Sequence, residues 1–377
     1  MAADVRQSGS QLNSRPFLKL PRLGQEKTML PPSTPLTDHL ESYYHNVAVI
    51  PEGKLVTLRK RAQKVIDTLL PRMRTNKFDI KFAKSVIYGG SVFDGTQVIS
   101  AKEVDVFLPF DEGKCTTDLM EPGYMRVIIP RTPKNPPNAP DKYRYGRNEH
   151  DRKHLSPIRV DKSVYKVIEH ALKYPIEIPN ITLIPFEDEP QGKARVALMV
   201  KSTIKLNIIP TIVLKGNNAN PPFDYLVTRT YWYDEYPGSE LLWRYCHHEK
   251  EQRVMKTMEL ADRGTRIKAF KIIKAMFRRE KTLHGLSSYH FKAVLFNSFD
   301  CDVDTSPRWQ RDHLETCFLI MLTDLLQSIS TRNLQDFFLE GFNLLANAPT
   351  REFTTLKNRL AMIVNNESEL IRILRKI

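Results

Sequence analysis

Residues 88–110 read YGGSVFDGTQVISAKEVDVFLPF, a glycine-serine turn followed by a segment in which acidic and apolar residues alternate. The alternation predicts a β-strand with Glu103 and Asp105 on one face, because successive side chains of a strand point to opposite faces. The intervening positions face the other way and are apolar: Val104, Val106 and Leu108. Such a strand can present two carboxylates while its other face stays in the core.

The acid pair and the preceding turn have the composition of a site for nucleotide and metal. Carboxylate oxygens suit magnesium, which usually takes one or two of them and completes its coordination with water and substrate phosphates. Two such ions can activate an attacking hydroxyl and stabilise the leaving phosphate. Gly89, Gly90 and Ser91 form a turn whose N–H groups can converge on an anion, because glycine tolerates the necessary dihedrals. An exposed edge strand with alternating acids would have the same spacing, so that alternative stays open here.

The bulk composition indicates a basic, soluble protein. A chain of 377 residues can form two lobes, or one large α/β unit with a helical extension. The net charge of +14 favours polyanionic partners such as nucleic acid, nucleotides or an acidic membrane surface, although a merely basic protein is the alternative. No apolar run approaches the ~20 residues that a membrane span needs, and the first residues lack a signal-peptide core. We therefore expect a cytoplasmic protein.

The cysteines give no indication of a disulfide framework or of a zinc site. The four are scattered and contain no CxxC pair: Cys115, Cys246, Cys301 and Cys317. His247 and His248 follow Cys246, but neighbouring residues of a helix point in different directions and chelate poorly. No zinc is predicted.

Three regions follow from the patterning. Residues 1–36 are rich in proline and basic residues, which predicts a flexible basic arm. Residues 37–238 are predicted to form the core that carries the acidic strand, and residues 239–377 a helical lobe. Within the core, a proline-rich basic loop is expected over 130–157.

A long amphipathic helix is predicted near the start of the core, with Pro71 marking its end. One side is an apolar stripe: Leu55, Leu58, Ala62, Val65, Ile66 and Leu69. The opposite side is a basic ridge: Lys54, Arg59, Lys60, Arg61 and Lys64. Such a helix can pack by its stripe and offer the ridge to a polyanion, although a charged helix face is often merely solvated.

Periodicity locates the remaining elements. Strands are predicted at 125–129, 194–200 and 203–214, and a helix is predicted around 164–172. The later helices are predicted at 239–262, 266–280, 287–297, 311–329, 333–338, 350–364 and 367–376.

Several motifs in this order resemble those of the male-abnormal (Mab) domain family, which includes cyclic GMP-AMP synthase and the cyclic GMP-AMP synthase-like receptors. The resemblance covers roughly residues 38–364. It rests on Gly90-Ser91 with Glu103-x-Asp105, Leu242-Trp243-Arg244 taken as opening a helix, Leu286 to Lys292 (LSSYHFK), Trp309 with Cys317-Phe318, and Phe337 to Leu344 (FFLEGFNL).

The resemblance implies an α+β fold, a nucleotidyltransferase-like mixed-sheet lobe joined to a second, α-helical lobe. It further implies an enzyme that joins ATP and GTP into a cyclic dinucleotide with magnesium or manganese. On that pattern Gly90 and Ser91 hold triphosphate oxygens, and Glu103 and Asp105 ligate the metal. The remaining implied nucleotide contacts are phosphates at Arg244, Lys274 and Ser288 and a stacked base at Tyr289.

The chain departs from the family pattern at the third metal ligand. Family enzymes carry a further aspartate on a neighbouring strand, and Asn207 occupies that place here. An asparagine carbonyl can touch a metal but brings no charge, so it does less than a carboxylate to offset a second cation. A catalytically inactive nucleotide-binding or scaffold protein, with a developmental role as one possibility, is therefore the alternative function.

A second departure concerns the polyanion. The closely spaced histidine and cysteines of the vertebrate DNA sensor's zinc thumb have no counterpart over 239–286. Double-stranded RNA, recognised by shape and phosphate contacts, is the better expectation, with the 54–64 ridge and the 263–281 helix as its binding surfaces. A simple nucleic-acid-binding module that uses the same basic faces is the third hypothesis.

Overall fold

The computed structural model describes residues 35–75, 80–100, 102–111, 115–121, 123–128, 154–174, 180–186, 196–214, 224–228, 241–299, 313–346 and 350–376. The predicted arm up to residue 34, nearly all of the predicted 130–157 loop, Cys301 and Trp309 lie outside these residues, whereas Pro35 and Leu36, predicted as the end of the arm, begin the first helix. The described residues belong to one compact unit. The predicted α+β class is confirmed, because this unit combines a mixed sheet with many helices.

The described strands form one sheet. They are β1 (Ile87–Gly89), β2 (Glu103–Pro109), β3 (Thr116–Glu121), β4 (Tyr124–Ile128), β5 (Ile181–Leu183), β6 (Val196–Val200), β7 (Ile204–Leu214), β8 (Asp224–Val227) and β9 (Leu242–Cys246). Their order is β1-β2-β7-β8-β9-β4-β3, and β6 pairs with both β5 and β7. Only the β2–β7 pair is parallel among these strands.

Strand β7 lies in the middle of the sheet. Its long apolar run suits this position, because a central strand is buried on both faces. It pairs with β2 along one edge, while its other edge pairs first with β6 and then with β8. Pro210, which has no N–H to donate, falls in the gap between the residues paired with β6 and those paired with β8. The parallel β2–β7 register brings residues about a hundred positions apart in sequence side by side.

The described helices are α1 (Pro35–Tyr43), α2 (Glu52–Arg74), α3 (Pro157–Leu172), α4 (His248–Asp262), α5 (Thr265–Arg279), α6 (Ser288–Asn297), α7 (Leu314–Thr331), α8 (Thr350–Val364) and α9 (Glu367–Leu374). A π-helical turn, Tyr44–Ala48, follows α1. The predicted helices at 266–280, 287–297, 311–329, 350–364 and 367–376 are confirmed apart from small differences at their ends.

Helices α2 and α3 cover one face of the sheet. The predicted stripe of α2 is buried in a core shared with β2, β6, β7 and α3. The prediction that Pro71 ends α2 is wrong, because the helix continues to Arg74. A proline removes one hydrogen bond of the helix, and the buried Met73 in the last turn keeps that turn packed on the core.

The second lobe has its own core, and α1 belongs to it. Leu36, Leu40 and Tyr43 are buried with the apolar faces of the helices from α4 onward. The chain therefore contributes to the helical lobe before it builds the sheet. Val98, from the segment after the glycine-serine turn, is buried in the same helical core.

Two helix predictions in this lobe are wrong. The sequence predicts one helix over 239–262, but β9 occupies Leu242–Cys246 and only α4 is helical. The pairing of this short segment with β4 and β8 makes it a strand, because a segment of five residues takes its conformation from its tertiary contacts. Residues 333–338 form a loop, in which the Asp336 carboxylate accepts hydrogen bonds from the amides of Phe338 and Leu339.

Candidate active site

Strand β2 presents its two acids as the sequence predicted. Val104, Val106 and Leu108 are buried in the core under α2 and α3, so Glu103 and Asp105 point to the opposite face. The Glu103 side chain is 64% exposed. The edge-strand alternative is wrong, because β2 has β1 on one side and β7 on the other.

The glycine-serine turn lies directly against this acid face. Gly90 has a φ of +74°, and a Cβ atom built on it would lie 2.8 Å from Asp105 Oδ2. The amides of Phe93 and Asp94 donate to the Gly90 carbonyl at 3.0 and 3.1 Å, which closes the turn. The Ser91 hydroxyl hydrogen-bonds the side-chain oxygen of Gln97. Only a residue without a Cβ permits this approach of backbone to carboxylate.

Asn207 reaches the acid face from β7. The parallel register pairs it with Asp105, and its Nδ2 donates to Asp105 Oδ1 at 2.8 Å. The side chain is only 4% exposed. The next residue of β7 on this face is Lys205, which is paired with Glu103 and whose Nζ lies 3.9 Å from Glu103 Oε1.

A cleft of about 660 Å³ opens over the acid pair and the glycine-serine turn, and Asn207 lies behind Asp105 and is not among its lining residues. Seven of the predicted site residues line it: Gly90, Ser91, Glu103, Asp105, Arg244, Ser288 and Tyr289. Its volume is within the range of pockets that hold small-molecule ligands and cofactors. The fold thus collects residues from β2, β9, α6 and the turn around one space.

Arg244 reaches the cleft from a different element than the sequence predicted. It lies on β9, in register with Tyr124 of β4 and Val227 of β8, and not at the start of a helix. The strand places its side chain on the same face of the sheet as the acids, so the guanidinium adds positive charge to the cleft wall.

The first turn of α6 forms the opposite wall. Ser287 caps the helix, and Ser288 and Tyr289 follow it at the cleft surface. Arg278 of α5 donates from Nη2 to Ser288 Oγ at 3.2 Å. The N-terminal end of a helix carries partial positive charge, so this wall suits an anionic group.

The Tyr289 hydroxyl is held by a carboxylate. It donates to Asp336 Oδ2 at 2.8 Å. Burial raises the pKa of Tyr289 well above its usual range, and the negative charges of Glu251 and Asp336 raise it further. The phenol therefore stays protonated, with its ring fixed at the cleft surface, while the predicted stacking on a base stays a prediction.

Lys274 does not line the cleft. Its side chain is fully buried, and Nζ donates to the Thr96 carbonyl at 3.0 Å. Burial lowers the pKa of Lys274 to about 7, and the neighbouring Arg278 charge adds to the shift. Lys274 supports the segment after the turn from behind, and no phosphate contact is formed in this geometry.

Lys292 is a cleft residue that sequence reasoning did not assign. It pairs with Asp94 Oδ2 at 2.6 Å and with Glu251 Oε2 at 2.8 Å. Burial alone would lower the pKa of Lys292, but the two carboxylates outweigh it and raise the value. The sequence did contain a signal for this position. Lys292 follows Tyr289 by three residues, so the two side chains lie on the same face of α6. This triad ties α6, α4 and the turn segment together.

Comparison with known proteins shows which family the chain resembles. Residues 265–362 match the Mab-21 protein HhH/H2TH-like domain, a stretch that begins with α5 and ends within α8. The predicted family resemblance is confirmed. The chain is similar to Mab-21 and cyclic GMP-AMP synthase-like proteins, at modest identity.

Three curated relatives illustrate the similarity. Cyclic GMP-AMP synthase-like receptor 3 of Stylophora pistillata is 32% identical over 36% of this chain and 40% of its own length. The cyclic GMP-AMP synthase-like receptor of Trichogramma pretiosum is 21% identical over 78% of this chain and 65% of its own length. Cyclic GMP-AMP synthase of Mus musculus is 23% identical over 78% and 63%. The chain thus spans less than two thirds of the length of each.

Glu103 and Asp105 are the side chains of the acid face that could hold a divalent cation. Glu103 and Asp105 supply two carboxylates on one side of the cleft, which is the usual protein contribution to a magnesium ion that also binds phosphates. Within the described ranges, no group of three or more His, Cys, Asp or Glu side chains is arranged to hold a metal. Asn207 directs its amide nitrogen, a donor, at Asp105.

The two predicted basic surfaces differ in the structure. Exposed side chains of α2 form the predicted ridge: Lys54, Lys60, Arg61 and Lys64. Arg59 turns inward instead and donates from Nε and Nη2 to the Val92 carbonyl at 3.0 and 2.8 Å. The 263–281 surface is only partly exposed, because Arg266 and Lys274 of α5 are fully buried, and its contact with RNA stays a prediction. The basic side chains that remain exposed there are Arg263, Arg278, Arg279 and Lys281. No helix in the described part of the chain is long and apolar enough to span a bilayer.

Proposed function

We propose that this chain is a cyclic GMP-AMP synthase-like nucleotidyltransferase that joins nucleoside triphosphates into a cyclic dinucleotide, with double-stranded RNA as its activating partner. The proposal is supported chiefly by one observation: the acid pair, the glycine-serine turn, Arg244 and the first turn of α6 share one cleft. The named relatives, which are cyclic GMP-AMP synthase and its receptor-like homologues, support the same chemistry.

Each side of the cleft has a separate task in this proposal. The turn at Gly90 and Ser91 and the start of α6 hold the triphosphate oxygens. Arg244 and Arg278 offset phosphate charge, and the ring of Tyr289 offers a stacking surface for a base. Glu103 and Asp105 would hold a divalent cation, which when bound supplies charge stabilisation at the reacting phosphate. In each of two successive steps a ribose hydroxyl bonds to an α-phosphorus, pyrophosphate leaves with the electrons of the broken P–O bond, and the hydroxyl proton passes to solvent.

The exposed ridge of α2 supports the choice of a polyanionic activator. Lys54, Lys60, Arg61 and Lys64 are exposed along one helix, and the chain carries a net charge of +14. Double-stranded RNA is bound through phosphates and shape, which a ridge of this kind can supply without base-specific contacts.

The test is a nucleotide incubation. Labelled ATP and GTP are incubated with the protein, magnesium or manganese, and double-stranded RNA, and the expected result is a phosphatase-resistant dinucleotide. Glu103→Gln should remove it, because a neutral amide cannot replace the carboxylate at the cation. Glu352→Gln, an equal change at an exposed position of α8, is the control and should leave the product unchanged. Absence of product under every combination of metal and RNA would refute the proposal.

A second candidate function is nucleotide binding without turnover. The Asn207–Asp105 hydrogen bond favours it, because a neutral donor stands where a third carboxylate would add charge. A rise in melting temperature with ATP or GTP but no product would support this alternative. Product formation by the unaltered chain would exclude it, and activity gained by Asn207→Asp would show that the rest of the cleft is competent.

A further inference from the structure

We propose that this cleft binds one divalent cation, and not two, together with its nucleoside triphosphate, because Lys205 and Asn207 of β7 occupy the side of the acid pair where a second cation would need ligands. The inference deepens the proposed function and rests on it for the identity of the nucleotide.

The register of β2 and β7 supplies the first step. The parallel pairing sets Glu103 beside Lys205 and Asp105 beside Asn207. Paired residues of neighbouring strands share a face, so each acid has an N–H donor of β7 next to it. The Lys205 ammonium lies 3.9 Å from Glu103 Oε1, and the Asn207 amide nitrogen lies 2.8 Å from Asp105 Oδ1.

Charge supplies the second step. Glu103 and Asp105 carry two negative charges, and the positive charge of Lys205 on β7 offsets one of them. The ammonium of Lys205 would repel a divalent ion placed close to it on this side of the acid pair. Partial burial lowers the pKa of Arg278, and the Glu103 carboxylate opposes that shift, which places a further cation within electrostatic reach of Glu103.

The buried amide supplies the third step. Asn207 is 4% exposed, its nitrogen is bonded to Asp105, and its Oδ1 has no hydrogen-bond partner among the described residues. Turning the amide over would set two acceptor oxygens against each other at Asp105. The nitrogen therefore faces the carboxylate, and one oxygen of Asp105 is already occupied on the side of β7.

One cation still has a place. Magnesium commonly takes one or two carboxylates and completes its coordination with substrate phosphates. The carboxylates of Glu103 and Asp105 with a triphosphate at the turn meet this description, and Gly90 of the turn lies beside Asp105. The cation would then enter with the nucleotide.

Counting bound manganese tests the inference without turnover. The protein is titrated with Mn2+ in the presence of an ATP analogue whose α,β-bridging oxygen is a methylene group, and free Mn2+ is measured by electron paramagnetic resonance. The unaltered chain should bind one Mn2+ per nucleotide. The Lys205→Ser/Asn207→Asp double variant should bind two, because it removes the positive charge and adds a third carboxylate.

The control is Asn365→Asp, which makes the same change of charge at an exposed position at the end of α8 and should still bind one Mn2+. Two ions, or none, bound to the unaltered nucleotide-loaded chain would overturn the inference, whether or not the double variant folds. One bound ion without any dinucleotide product would refute the proposed enzyme and leave this inference standing.

Discussion

Single residues determine how the turn meets the acid face, and Gly90 is the clearest case. Gly90 and Gly95 have almost the same φ, +74° and +73°, but only at Gly90 would a Cβ meet another group, Asp105 Oδ2 at 2.8 Å. Gly95→Ala should therefore lower the free energy of unfolding by ~1–2 kcal/mol, the cost of a left-handed residue. Gly90→Ala should cost more and weaken nucleotide binding. Urea denaturation of both variants measures the difference, and equal losses would contradict the contact.

Lys274 predicts a pH dependence of stability. Its pKa of about 7 in the folded chain lies below the ordinary lysine value of 10.5. Between these two values the unfolded chain binds more protons at this site than the folded chain does. The contribution of Lys274 to the free energy of unfolding therefore rises as pH increases through this window.

The matched measurement compares Lys274→Met with Lys60→Met, a change at an exposed lysine of α2. Denaturation at about pH 7 and about pH 10 should show a smaller rise for Lys274→Met than for the unaltered chain, whereas Lys60→Met should keep the full rise. A rise unchanged by Lys274→Met would exclude this assignment.

Among the elements, α6 is fixed to its neighbours by a buried charge. Lys292 bridges Asp94 of the turn segment and Glu251 of α4. Burial would raise the pKa of Asp94, but Lys292 outweighs it and holds the value below its usual range. Lys292→Met leaves two buried carboxylates unpaired, and we expect a loss of ~3–5 kcal/mol in the free energy of unfolding.

Lys292→Arg keeps the charge and is the comparison for that variant. It should lose much less stability than Lys292→Met when both are measured by denaturant titration. Similar losses would mean that side-chain shape, and not the ion pairs, stabilises this junction. Nucleotide affinity should follow the same ranking, because Asp94 belongs to the segment that follows the turn.

The elements also differ in how far sequence could predict them. The strand β2 and the apolar stripe of α2 follow from periods of 2 and 3.6 residues within each segment. These periods are visible in the sequence without knowledge of what the segment packs against. Residues 242–246 carry no such unambiguous period, and their pairing with β4 and β8 makes them a strand. A short segment takes its conformation from its neighbours when local preference is weak.

Across the whole molecule, charge is distributed so that only some of the basic residues are available to a polyanion. The ridge on α2 is exposed, whereas two basic side chains of α5, Arg266 and Lys274, are buried inside the protein. The triple variant Lys60→Gln/Arg61→Gln/Lys64→Gln should weaken RNA binding. It should also reduce the slope of log affinity against log salt by roughly 0.7–0.9 for each phosphate that the variant no longer neutralises.

Arg351→Gln/Lys357→Gln changes exposed residues of α8 and is the control for that variant. It should leave the slope almost unchanged when binding is measured over a series of salt concentrations. A control that weakens RNA binding as much as the ridge variant would show that net charge, and not the ridge, is responsible.

The sequence by itself determined the acid face of β2, the glycine-serine turn before it and the amphipathic α2, because these depend on local periodicity and on the dihedral freedom of glycine. Tertiary structure alone decided that Arg244 reaches the cleft from a strand, that Lys274 is buried behind the turn, and that Lys292 joins two carboxylates. It also set Asn207 against Asp105, since that contact needs the register between strands about a hundred residues apart. The pairing of two strands so distant in sequence and the burial of a side chain depend on how the sheet and helices pack, and the pattern of one segment alone does not identify its partner.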